Sequence, residues 1–150
     1  MDTRIDMAKA APEAYKAVYA FNKIVAAHVD HDLFELIKIR ASMINSCAYC
    51  IDMHTTDALS SGEDLRRIVA LAAWRESHFF SDEERAVLAL TDQVTELGEH
   101  GVTDEVWNAA AKYFDDEGMA HLVMAIAVIN VWNRVALSTQ LAAPPLDAGA

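Results

Sequence analysis

Helix breakers are scarce in this chain. Five glycines and three prolines occur in 150 residues, and the prolines stand at 12, 144 and 145, so nothing forbids helix between residues 13 and 143. Sustained period-two alternation is absent, as are Asn-Gly and Asp-Gly hairpin signals, which argues against a sheet-based fold. No repeat with a period of 20–50 residues is present, which argues against a solenoid. Basic residues are also few: 12 Lys and Arg face 23 Asp and Glu, for a net charge of −11. Binding a polyanion relies on clustered Lys and Arg that release counterions, so this balance excludes nucleic acid as a partner and docking on anionic lipid. Two cysteines cannot build the disulfide framework of a small secreted domain. Long apolar runs are missing too. The longest lies between His121 and Asn130, well short of the ~20 residues that span a bilayer, and reads as a buried helix segment. The opening MDTRIDMAKA carries two Asp and no apolar stretch; the expectation is no secretory signal, no membrane segment and a cytoplasmic protein.

What the chain does have is apolar side chain, 53% of residues. That suffices for one domain over residues 1–150, with a core of about 12–141. It also exceeds what a small monomer needs to bury, so a homo-oligomer is expected. Helical spacing and capping residues predict an all-α bundle of six to seven helices. The segments are about 12–27, 32–43, 47–59 behind an Asn45 or Ser46 cap, and 63–74 after the break at Gly62. A capping box at Ser81 to Glu84 then opens a helix ending near Gly98. Thr103 caps a short helix, and Asp115 or Asp116 caps a long last one to about 141.

The informative stretch is Cys47-Ala48-Tyr49-Cys50-Ile51-Asp52-Met53-His54, a C-x-x-C-x-x-x-H. At ~100° per residue, Cys50 lies about 60° and His54 about 20° from Cys47 around a helix axis, so all three share one face. Residues three apart approach within disulfide reach, and His54 stands four residues beyond Cys50. With Ser46 as cap, Cys47 falls in the first helical turn, where the dipole favours thiolate, while Cys50 gains more from His54. Two thiols so placed are the minimum equipment for peroxide reduction through a sulfenic acid and a disulfide. Glu35 completes the set. If the second and third helices form a hairpin turning at Asn45–Ser46, Glu35 and His54 reach nearly the same level, and the carboxylate can orient the imidazole and raise its basicity.

Glu35, eleven intervening residues, and then Cys47, Cys50 and His54, preceded by Ile39-Arg40-Ala41-Ser42, resemble the alkylhydroperoxidase D-like branch of the carboxymuconolactone decarboxylase family. Ala73-Trp74-Arg75-Glu76 and Asn130-Val131-Trp132-Asn133-Arg134 extend the likeness, while Tyr49 stands where the well-studied members carry histidine. The resemblance implies an all-helical fold assembled as trimers or hexamers, and a peroxidase that needs an external dithiol reductant. It further implies that Cys50 attacks peroxide, Cys47 resolves the intermediate, and His54 with Glu35 moves protons. No cofactor and no metal is implied. Two other chemistries compete: lactone decarboxylation, which would not need the cysteines, and a zinc-binding or redox-regulated oligomeric module using Cys47, Cys50, His54 and Glu35. The remaining histidines, 28, 31, 78, 100 and 121, lack ligand spacing and read as surface, cap or core residues. Asn133 and Arg134 suit either the site or a structural hydrogen-bonding role.

Overall fold

A computed structural model describes residues 3–145, and among them it contains eight α-helices and no strand. These are α1 (Met7–Ala10), α2 (Pro12–Ala26), α3 (His31–Ile44), α4 (Ala48–Ser60), α5 (Leu65–Ala70), α6 (Asp82–Thr95), α7 (Asp104–Ala110) and α8 (Asp116–Thr139), with a 3₁₀ turn at Leu71–Ala73 after α5. The sequence placed six or seven. The addition is the four-residue α1, whose N-cap Asp6 accepts from the Lys9 backbone N–H. Pro12 opens α2, where its missing N–H costs nothing. The capping box at Ser81 and Glu84 closes reciprocally, and Thr103 and Asp115 cap α7 and α8. The helix expected over 63–74 is shorter: Asp64 caps it, and its end tightens into the 3₁₀ turn.

The central element is α3, which packs against α4, α6 and α8. A helix buried on one stripe shows periodic apolar residues; α3 instead buries almost every side chain from Leu33 to Ser42, Glu35 and Lys38 included. One side of it joins α6 and α8 through Phe34, Ile37, Val87, Leu90, Leu122 and Ile126. The other meets the 3₁₀ turn and α6 through Leu36, Ile39, Leu71, Trp74 and Leu88. By length and composition α8 could cross a bilayer. Here its apolar run is core, with Leu122, Ala125, Ile126, Val128 and Ile129 at most 1% exposed.

The α3–α4 turn departs from expectation. Ser46 does not cap α4; it takes the left-handed conformation at φ +57°, and Cys47 occupies the cap position. Asn45 turns away to α8, where its amide donates to the side-chain oxygens of Asn130 and Asn133, each at 2.9 Å. Asn133 in turn donates to Ser42 Oγ at 3.0 Å. The Cys47 N–H donates to the Ser42 carbonyl at 2.9 Å. Buried amides left unpaired are costly, so this network fixes the turn in one place against α8.

A second clasp joins α3, the 3₁₀ turn and α6. Asp92 accepts from Arg40 Nε at 2.6 Å, from Arg75 at 2.6 Å and from the Trp74 indole at 3.2 Å. Truncating it leaves a largely buried guanidinium without its partner. Asp92→Ala is therefore expected to lower the free energy of unfolding by roughly 3 kcal/mol, read by urea denaturation. An unchanged midpoint would show that the clasp contributes nothing net.

Candidate active site

Four side chains singled out in the sequence converge. Cys47 and Cys50 meet as a disulfide, their Cα atoms 5.4 Å apart. His54, one turn further along α4, directs Nδ1 toward Glu35 Oε2 on α3 at 3.5 Å. Burial is nearly complete: Cys50 is 1% exposed, Glu35 5% and His54 7%. His54 Nδ1 and Glu35 Oε2 have no hydrogen-bond partner, and each faces the other just beyond bonding range. A small rotation of the ring closes that gap, as catalytic contacts often do on loading. With Nδ1–H directed at the carboxylate, Nε2 is left as the basic nitrogen.

The helix register revises the electrostatics of the thiols. Because Cys47 is the cap and Ala48 the first helical residue, Cys50 also lies in the first turn. The free N–H groups there favour thiolate at both sulfurs, so the dipole does not select Cys47. A cleft of about 210 Å³ makes the distinction: Cys50 and His54 line it, and Cys47 does not. Cys47, as fully buried as Cys50, packs with Cys50 and Ala136 of α8.

Lys38 was not singled out in the sequence. It lies one turn after Glu35, is itself buried, and places Nζ 2.5 Å from Glu35 Oε1 and 4.5 Å from the centre of the Phe34 ring. His31 adds Nε2 at 3.9 Å from the same oxygen, from a position open to solvent. Glu35 therefore uses one oxygen toward His54 and the other toward two further nitrogen bases. Burial pushes its carboxyl pKa up, but the His54 imidazole and the Lys38 ammonium more than offset this and hold it below the usual carboxylate range. Asn133 belongs to the structural network rather than to the cleft, and Arg134 bonds Asn130. Among the described residues no three His, Cys, Asp or Glu are disposed to hold a metal ion. The set a zinc module would need has its sulfurs joined to each other and its carboxylate joined to Lys38.

The lowered pKa of Glu35 contributes stability that is present above the unfolded value near ~4.3 and lost as pH falls through the folded one. Lys38→Met reverses the sign by leaving a buried carboxylate without its closest cation. The substitution is expected to destabilise the fold by on the order of 3 kcal/mol at neutral pH. Glu35 would then protonate more readily in the folded chain than in the unfolded one, so the deficit shrinks on acidification. Urea titrations of both proteins at about pH 7.5 and about pH 5 measure this, and a deficit of equal size at both would contradict it.

Comparison with known proteins agrees with this geometry. The carboxymuconolactone decarboxylase family profile matches residues 12–93. The uncharacterized protein YdfG of Bacillus subtilis is 39% identical over 139 residues, which span 92% of this chain and 95% of that protein. A crystal structure from Agrobacterium tumefaciens, of a protein of unknown function and a candidate antioxidant defence protein AhpD, superposes with a TM-score of 0.92 at 39% identity, covering 96% of this chain and 99% of that one. The debrominase Bmp8 shares the fold at a TM-score of 0.79 and 21% identity, over 89% of this chain and 72% of its own. Family profile, near-full-length relative and superposed fold together show that the chain belongs to the carboxymuconolactone decarboxylase family, in its alkylhydroperoxidase D-like branch.

Proposed function

We propose that the protein is a thiol-dependent peroxidase that reduces a hydroperoxide to the alcohol, or hydrogen peroxide to water. One observation carries this: Cys50 and His54 line the cleft, and Cys47, which does not, stands at disulfide reach of Cys50. His54 Nε2 takes the Cys50 thiol proton, the thiolate attacks the outer peroxide oxygen, the O–O bond breaks, and the leaving alkoxide takes that proton from His54, giving ROH and a Cys50 sulfenic acid. Cys47 then attacks the Cys50 sulfur. Its proton passes to the departing hydroxide, water leaves, and the disulfide forms. Two electrons from the thiols have reduced one peroxide, and an external dithiol must return them. Glu35 holds the imidazole in the tautomer that presents Nε2. Its pairing with Lys38 keeps it ionised, so the travelling proton belongs to His54.

A reducing, cytoplasmic setting fits a cycle that passes through free thiols. Assembly into a trimer or hexamer fits the apolar side chains left exposed on α2 and α8, among them Ile24, Val131 and Leu137.

Cys50→Ser is expected to abolish peroxide turnover in the presence of a dithiol. Glu35→Gln should slow it by roughly 10–100-fold, as loss of an orienting partner does, while leaving the protein folded. Peroxide consumption, followed by absorbance, is the readout. Full turnover by the serine variant would reject the mechanism, and if thiol alkylation also left lactone decarboxylation intact, that activity would take its place. In sedimentation the protein should run at a multiple of its 16.5 kDa chain mass. A mass of one chain would contradict the oligomer.

A further inference from the structure

We propose that the cleft selects neutral arylalkyl hydroperoxides over hydrogen peroxide and over hydroperoxides that carry a carboxylate. This names the substrate class of the peroxidase function proposed above and rests on it. The walls supply the argument. Beyond the reactive pair, they are formed by Tyr15, Tyr19 and Asn22 of α2, Tyr49 and Met53 of α4, and Trp132 of α8. The Tyr15 and Trp132 rings pack edge to face with centroids 5.2 Å apart, making an aromatic corner in the wall of the cleft that Cys50 also lines. Rings favour such offset and edge contacts with another ring, and flat apolar surface gains most from leaving water among them. Hydrogen peroxide presents no such surface and gains nothing from these walls.

Charge selects in the same direction. No Lys or Arg lines the cleft, and the Nδ1 edge of His54 faces Glu35. Lys23 rests over the Tyr19 ring at 5.1 Å from its centroid and is not part of the lining. A carboxylate entering the cleft would lose water without meeting a Lys or Arg, would compete with the Cys50 thiolate for the N-terminus of α4, and would approach a chain of net charge −11. Asn22 is a neutral polar group at the wall, suited to a hydroperoxide or alcohol oxygen. Tyr19, 54% exposed, lies at the mouth, where its ring can cover a bound one.

Reduced protein is challenged with cumene hydroperoxide, hydrogen peroxide and linoleic acid hydroperoxide, each rate being divided by the rate of the same peroxide with free glutathione. Cumene hydroperoxide should lead the other two by at least about tenfold, the scale of one or two well-placed ring contacts. Tyr19→Ala should lower its rate several times more than that of hydrogen peroxide. Binding is read separately from turnover. 2-Phenylpropan-2-ol, the neutral product, should slow iodoacetamide alkylation of Cys50, mapped by peptide mass spectrometry, and 4-isopropylbenzoate should not. Equal normalised rates, or equal protection by alcohol and carboxylate, overturn the proposal, as does absence of protection by the alcohol. Selective protection by the alcohol without reduction of any peroxide would uphold the cleft's selectivity and remove the peroxidase function instead.

Discussion

A carboxylate buried in a helix that is apolar on nearly every side needs partners, and Glu35 sets the terms for the rest of the site. Its helix, α3, is locked between α6 and α8, so the carboxylate cannot swing out to water. A charge in that position is tolerated only where counter-charges and hydrogen-bond donors come to it. Lys38 comes from the same helix, one turn on. His54 comes from the next helix, and its arrival depends on the α3–α4 turn. That turn is narrow, with Ser46 in the left-handed region and Asn45, Asn133 and Ser42 binding it to α8. The polar network thus fixes the register in which imidazole meets carboxylate, and by the same geometry it puts Cys47 at the cap of α4 and Cys50 in its first turn.

In the proposed mechanism the two cysteines, equally buried, divide their roles by which of them lines the cleft. Both enjoy the positive end of α4, and what separates them is access. Cys50 lines the cleft with His54, and Cys47, packed against Cys50 and Ala136, does not. An attacking sulfur needs the substrate, and a resolving sulfur needs only the first sulfur. Lys38 changes the part Glu35 can play. Paired with an ammonium, the carboxylate is held below the usual carboxylate range, and in the proposed mechanism it orients the imidazole and leaves proton traffic to His54. Remote from this chemistry, the Asp92 clasp holds α3 to α6 and keeps the carboxylate's helix still.

Constant helical rise made much of the site readable. Counting outward from the Asn45–Ser46 turn brings Glu35 and His54 to one level, and angular spacing brings Cys47, Cys50 and His54 to one face. Caps with a local cause were legible for the same reason, as at Ser81, Thr103 and Asp115. Lys38 was hidden because periodicity reads a lysine as solvated, and only the three-dimensional crowding around α3 makes it a buried partner. His31 is a surface residue, as read from the sequence, but its approach to Glu35 was not legible because it depends on that burial. The capping role given to Ser46 failed because a tertiary bond from Asn45 to α8 outweighed local capping, which moved the start of the helix by one residue. The cleft walls come from three separate helices, and nothing local in residues 15–22 or 132–136 announces that they meet.

The most direct test is to trap the first oxidised intermediate. A Cys47→Ser protein, reduced and treated with one equivalent of hydroperoxide in the presence of dimedone, should carry the label on Cys50 alone when its peptides are mapped by mass spectrometry. An unlabelled Cys50 in protein that has consumed the peroxide would contradict the account at its root.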